Sequence, residues 1–475
     1  MKKRGFLLLF CSACLLFAAE VPQLQVHFDQ SAGEIRKQLH GSGYMPNISE
    51  MGNYHKGNDF FRKLHFSMSR THDQVLFNPG ERVVDTVCVF PLEKLDPEDA
   101  SNYCFKPTDF LLSNLVSCGT LPYYRLGVST ENTPDDHHFN SEMPKDAVHY
   151  AKILAGIIRH YNYGWADGFK MNIPYWEIWN EPDIGCKMWK GDMAQFNRFF
   201  VTVLKHLKQE FPDEKIGGPG YQKLCGVPLG EKNLRDLLAL CKEENVKPDF
   251  ISFHFYGYDV YGYLAYLDRI RAILDECGFK DTEMHLNEWH YNFDWAWRTW
   301  DEVRGGGGID SAAFNVALFA GFHDKPLDVA CYYGAGQCNI WNYWGLFDRF
   351  HNVNRNYRSM EMIGKLVAEY PRRIKTCVIG MPVPAAPEFK SVSMIAGLND
   401  AGNGGCLLVS DFRGDAMQRE VELKHFPENA KTTVVRFDHH TKEPVPVTPE
   451  IVDGKLVLRK EIPGSCIWMA TFDWK

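Results

Sequence analysis

The stretch PYWEIWNEPD (174–183) is mostly apolar up to Trp179 and turns polar at its exit, where Asn180, Glu181 and Asp183 follow Ile178 and Trp179. It reads as a buried strand of an α/β fold. Seven more runs of this kind are spaced along the chain. They are LHGSGY (39–44), FSMSRTHD (66–73), LPYYRLGVS (121–129), KIGGPGY (215–221), DFISFHFYG (249–257), EMHLNEW (283–289) and DVACYYGA (328–335). Between them lie VHYAKILAGIIRHY (148–161), FNRFFVTVLKHLKQEF (196–211), LRDLLALCKEE (234–244) and LAYLDRIRAILDEC (264–277), with apolar residues at helical three- and four-residue spacing. Eight strands, each followed by a helix, predict a closed parallel (β/α)8 TIM barrel over residues 36–372.

Past Pro371 the period changes. SVSMIAGL, GCLLVSDF, TTVVRFD, KLVLRKEI and CIWMATF are short alternating runs separated by Gly, Pro, Asn and Asp turns. Residues 375–475 are therefore expected to form an all-β sandwich domain, with the Pro-rich MPVPAAPEF (381–389) as a crossover between its early strands. The sequence has no internal repeat.

The 475 residues have ordinary globular composition, which excludes a disordered or collagen-like chain. The formal net charge of −8, without a basic stripe, argues against nucleic acid as a partner. Residues 1–19 read as a signal peptide: Met1-Lys-Lys-Arg, then the apolar GFLLLFCSACLLFAA, too short for a bilayer span. Ser12-Ala13-Cys14 loosely resembles a lipoprotein box, so a secreted or periplasmic location, free or lipid-anchored, is the expectation. No later apolar run is long enough to be an integral membrane span. Fourteen cysteines are scattered without a C-x-x-C pair, and most read as buried small hydrophobes. No HExxH and no zinc-type spacing occurs, so neither a metal nor another cofactor is implied.

In a (β/α)8 barrel the C-terminal strand ends carry the site. Inside the strands the residues read as apolar. At the exits stand Arg70, His72 and Asp73, then Glu131, Asn180 and Glu181, then His254 and Tyr256, then Glu288. Glu181 and Glu288 lie three strand positions apart and so face each other across the mouth. Two facing carboxylates suit retaining glycoside hydrolysis, with one kept protonated and the other ionised. Asn180 is placed to bind a sugar hydroxyl, and Arg70, His72 and His254 to orient Glu288 or the sugar and keep the nucleophile charged. In WHYNFDWAWRTWDEVRGGGG (289–308), Trp289, Trp295, Trp297 and Trp300 cannot all enter a core from a loop; some are expected to stack on sugar, with Gly305 to Gly308 as a hinge.

YWEIWNEPD (175–183), MWKGD (188–192), DFISFHFYG, HLNEWHY (285–291) and GLFDRF…NYRSMEMIGKL (345–366) together resemble glycoside hydrolase family 39, which contains β-xylosidases and α-L-iduronidases. The resemblance spans the barrel and implies a glycoside substrate. It implies Glu181 as acid/base, Glu288 as nucleophile, and Arg70, His72, Asn180 and His254 at the sugar subsite. It also implies that an N-terminal strand from 20–35 joins the C-terminal sandwich. Asn287 departs from the family's usual Thr before the nucleophile, and CNIWNYWGLFD (338–348) departs from the xylosidase pattern. The loop YGYDVYGY (256–263) carries no cation for a uronate, which favours a neutral, β-xyloside-like sugar. Arg298, Arg304 and Arg349 keep an iduronidase-like alternative in view. A non-catalytic carbohydrate-binding or adhesion protein is the other alternative, and retention of both glutamates speaks against it.

Overall fold

The computed structural model describes residues 22–45, 54–72, 82–128, 142–185, 188–224, 226–293, 303–335, 337–338, 345–348, 352–380 and 389–474. The signal-peptide reading, Asp73, Glu131, Trp295, Trp297, Trp300, Arg298, Arg349 and most of the Pro-rich crossover lie outside these residues.

After β1 (Gln23–Glu34), eight parallel strands close a barrel: β2 (Gly41–Gly43), β3 (Met68–Arg70), β4 (Leu121–Leu126), β5 (Trp176–Ile178), β6 (Ile216–Tyr221), β7 (Phe250–Gly257), β8 (Glu283–Tyr291) and β9 (Val329–Tyr332). All eight expected strands are present and in ring order. The ring closes where Gly41 pairs with Cys331 and Ser42 with Tyr332. Gly41 is needed there, because a Cβ would stand 2.9 Å from the Ala330 carbonyl.

The surrounding helices are α1 (Tyr54–Arg62), the short α2 (Thr86–Val89), α3 (Lys106–Ser117), α4 (Ala147–Tyr163), α5 (Met193–Glu210), α6 (Pro228–Glu243), α7 (Val260–Glu276), α8 (Ile309–Phe322) and α9 (Arg355–Glu369). Local chemistry fixes several ends. Asp146 caps α4 by accepting from Val148 N and His149 N, and Gly164, at φ 78°, ends it in the left-handed region. Asp192 and Gln195 form a reciprocal capping box on α5. Asp259 caps α7 directly after β7, fixing where that strand's exit turns away from the mouth. Their apolar stripes pack on outward-facing strand residues such as Tyr124, Leu126, Trp176 and Ile178 in one continuous core.

Inside the ring, Met68, Tyr123, Tyr175, Phe250, Val329 and Cys331 form a separate apolar plug at the N-terminal end. The expectation of apolar strand interiors fails one layer above it. Arg70, Glu177, Ser252 and Asn287 are all fully buried there and bonded to one another. The buried Glu177 carboxylate is tolerated there because it accepts from Arg70, Ser252 and Asn287.

A short pair, β10 (Gln337–Cys338) and β11 (Phe347–Asp348), follows the barrel. The remaining strands are β12 (Arg372–Ile379), β13 (Ser391–Leu398), β14 (Gly404–Gly414), β15 (Met417–Lys424), β16 (Lys431–Asp438), β17 (Val445–Val447), β18 (Ile451–Val452), β19 (Lys455–Lys460) and β20 (Gly464–Asp473). With β1 they form one ten-stranded, mostly antiparallel sheet in the order β17-β16-β20-β14-β13-β12-β1-β15-β19-β18. The sheet curls so that both halves share one core, including Leu24, Val26, Val409, Val421, Leu458 and Trp468. Alternate residues of β13, β14, β16 and β20, among them Ile395, Leu408, Phe412, Phe437 and Ile467, face the other way into the barrel core. Arg413 Nε donates to Asp310 Oδ2 (2.8 Å) and Ser465 Oγ to Asp310 Oδ1 (2.6 Å), tying the sheet to the start of α8. Nine described cysteines are free, five of them buried.

Candidate active site

The exits of β3, β5, β7 and β8 bring their polar residues to one point. Arg70 ends β3, fully buried, and distributes its guanidinium three ways: Nε donates to Glu177 Oε2 (2.6 Å), Nη1 to Glu288 Oε1 (2.7 Å) and Nη2 to Asn180 Oδ1 (2.7 Å). His72 Nε2 stands 2.9 Å from Glu288 Oε1. Tyr256 Oη donates to Glu288 Oε2 (2.6 Å). His254 Nδ1 stands between the two carboxyl groups, 2.7 Å from Glu181 Oε1 and 3.2 Å from Glu288 Oε2. The facing ligand atoms of Glu181, His254 and Glu288 all lie within 4.8 Å of one another.

Backbone shape sets this geometry. Glu181 sits at φ 46°, ψ 48°, a left-handed conformation that a side chain rarely adopts and that marks functional positions. Its N–H donates to the Gly220 carbonyl (3.1 Å), and its own carbonyl accepts from Ile184 to open a 3-10 turn at Pro182. Gly220, at φ 66°, leaves room beside it: a Cβ would lie 3.1 Å from both Glu177 Oε1 and His254 Nε2. On β8 the parallel pairing skips a residue, with Phe253 opposite Leu286 but His254 opposite Glu288. This bulge turns Asn287 and Glu288 both into the barrel, where strict alternation would admit one of them.

The surroundings separate the two carboxyls. Burial, then the neighbouring Glu288, raises Glu181 well above an ordinary glutamic acid, which favours its protonated form. Burial also disfavours charge on Glu288, but the imidazoles of His254 and His72 and the Arg70 guanidinium outweigh it and hold Glu288 well below the usual carboxylate range. Burial pushes His254 down to about 4. For Arg70, burial works against the cation, yet Glu177 and Glu288 raise it above the ordinary guanidinium value.

Seven of the eight expected site residues, Arg70, His72, Asn180, Glu181, His254, Tyr256 and Glu288, therefore converge. Trp289 does not. Being next to Glu288 on a strand, it points away from the bore, and its ring is buried edge-on against Phe322 of α8 and Tyr332 of β9 (centroids 5.6 and 5.3 Å). Arg304 lies with its guanidinium 5.8 Å from the Phe293 ring centroid. Sequence reasoning missed Glu177, Asn287 as a ligand of Glu177, and an aromatic wall of Tyr44, His72 and Tyr333 with centroids 5.4–5.5 Å apart. A charge in the middle of the apolar PYWEIW run was the available signal for Glu177, since a buried carboxylate requires partners.

The family model for glycosyl hydrolases family 39 matches residues 52–326, more than half of the chain and the segment that supplies Arg70, His72, Glu177, Asn180, Glu181, His254, Tyr256, Asn287 and Glu288. The chain belongs to glycosyl hydrolases family 39. Among curated relatives, a β-xylosidase of Geobacillus stearothermophilus is 21% identical over 236 residues (44% of this chain, 45% of that protein). A β-xylosidase of Caldicellulosiruptor saccharolyticus is 24% identical over 169 residues (34% and 32%). The chain thus spans less than half the length of the curated relatives it matches. In fold it is similar to a glucosidase from Croceicoccus marinus (20% identity, TM-score 0.74, covering 96% of this chain and 99% of that one). It is also similar to a family 39 β-xylosidase from Caulobacter crescentus (14% identity, TM-score 0.67, 95% and 100%).

Proposed function

We propose that this family 39 protein is an exported retaining glycoside hydrolase acting on a neutral, β-xyloside-like sugar. The observation that carries the reading is the Glu181–Glu288 pair: two buried carboxyl groups with facing atoms within 4.8 Å, one raised into its protonated form and one held ionised. Glu288 attacks the anomeric carbon while Glu181 passes its proton to the leaving oxygen, giving a glycosyl ester on Glu288. That ester removes the charge beside Glu181, which lowers its proton affinity and converts it to the base that activates water for the second displacement.

The preference for a neutral sugar rests on the cation-free loop YGYDVYGY (256–263) and is supported by Arg70, whose three guanidinium nitrogens are each engaged, with Glu177, Glu288 and Asn180. Export rests on the N-terminal leader alone.

A screen of aryl xyloside, arabinoside, galactoside, glucoside, fucoside and glucuronide tests the substrate class. NMR of the first-formed anomer tests retention. Turnover of the glucuronide alone overturns the neutral-sugar reading, an inverted first product overturns double displacement, and binding without any turnover leaves the carbohydrate-binding alternative.

A further inference from the structure

Glu177 is a second buried carboxylate beside the dyad, and the reaction above does not use it. Its position is over-determined. Oε2 accepts from Arg70 Nε, while Oε1 accepts from Ser252 Oγ (2.5 Å) and Asn287 Nδ2 (2.6 Å). Arg70 gives the opposite edge of the same guanidinium to Glu288. Asn287 is the residue that the β8 bulge turns inward, immediately before Glu288. The chain of contacts continues from Asn287 Nδ2 to Tyr123 Oη (3.3 Å) and on to His285 Nδ1 (3.1 Å), anchoring it in the apolar plug below.

From this arrangement we infer that Glu177 is a positioning residue for the nucleophile: it divides the charge of Arg70 with Glu288 and, through Asn287, holds the bulge from which Glu288 projects. The inference rests on the proposed glycosidase reading. If Arg70 had Glu288 as its one carboxylate partner, the whole cation would stabilise the nucleophile's ground state and weaken its attack. A guanidinium already sharing its charge with Glu177 orients Glu288 while leaving its oxygen reactive. The Asn287 amide reaches Glu177, so strand β8 itself is tied to the carboxylate.

The ionisable groups around Glu177 are Arg70, Tyr123, His254, His285 and Cys331, from β3, β4, β7, β8 and β9. Those around Glu181 are Glu288, His72, Asp183, Arg70 and His254. Arg70 and His254 are shared by the two sets, and of the two Arg70 carries a fixed positive charge. Removing the Glu177 charge therefore exposes Glu181 to more of that cation and favours loss of its proton.

The test is steady-state kinetics against pH on the full chain. Glu177→Gln is expected to lower kcat roughly tenfold or more with KM within about threefold, and to move the alkaline limb of kcat/KM to lower pH. Glu177→Asp keeps the charge, so it restores the limb while the shorter arm leaves kcat reduced. Asn287→Ala leaves every charge in place, so it lowers kcat several-fold with both limbs unmoved. Unchanged kcat and limbs per folded molecule in Glu177→Gln overturn the inference. If that variant does not fold, an unchanged kcat in Asn287→Ala overturns it. Glu288→Gly assayed with azide separates this from the reading beneath it. Azide rescue there beside normal Glu177→Gln kinetics removes the positioning role alone, whereas full activity of Glu288→Gly without azide removes Glu288 as the nucleophile and with it the reading on which the positioning role rests.

Discussion

His254 Nδ1 and Glu181 Oε1 are 2.7 Å apart, and the same nitrogen lies 3.2 Å from Glu288. With His254 pushed down to about 4, the imidazole is neutral near pH 7, and the proton of the site belongs to Glu181. Activity then needs Glu181 protonated and Glu288 ionised. On that basis kcat/KM rises as pH passes upward through the depressed Glu288 and falls as pH passes through the raised Glu181.

Replacing Glu288 by Gln removes the like charge beside Glu181 but keeps its burial. Glu181 is expected to titrate lower than in the parent protein and still above an ordinary glutamic acid, as followed by carbon-13 NMR of the carboxyl resonance. An unmoved titration would show that the two carboxyls are not coupled.

In the proposed reaction, Glu288→Gly removes the attacking oxygen and opens space for a small anion. Turnover is expected to fall by about 10^4-fold or more. Added azide should restore it, yielding a glycosyl azide of configuration opposite to the substrate's. Turnover that survives the replacement, without azide, places the nucleophile elsewhere.

In the proposed reaction, Glu181→Ala deletes the proton donor and leaves the nucleophile in place. Aryl glycosides with good leaving groups need little protonation, so their first step should be spared far more than that of natural glycosides. Equal losses on both substrate types would falsify the acid/base role. Chromatography of the products in azide adds a second check, since azide entering on the side of Glu181 gives retained configuration.

Trp289→Ala tests a placement that only the fold revealed. The indole is buried between β8, β9 and α8, so its removal opens a core cavity and is expected to cost about 3–5 kcal/mol of stability, measured by denaturant unfolding. KM for aryl glycosides should stay unchanged at temperatures where the variant is folded. A raised KM at unchanged stability would return Trp289 to the sugar site.

Much of the barrel was legible because strand and helix periods are local properties. Eight apolar runs with polar exits announced eight strands and their mouth, and the exits held Arg70, His72, Asn180, Glu181, His254, Tyr256 and Glu288. The polar layer was not legible. Ser252 and Asn287 look like ordinary strand residues, and Glu177 draws its partners from three other strands. Nor was the sidedness of Trp289, because a one-residue bulge decides which of two neighbours faces the bore.

The sequence by itself determined the order of the elements, the switch from α/β to all-β after Pro371, and the placing of Glu181 and Glu288 at strand exits, all carried by patterns within a few dozen residues. Only the tertiary structure decided how the dyad is charged. Arg70 and Glu177 are 107 positions apart, and Arg70 and Glu288 are 218 apart, yet each pair is within 2.7 Å. The proton affinity of a buried carboxyl depends on its neighbours in space and on exclusion of water, and neither is set until the barrel closes.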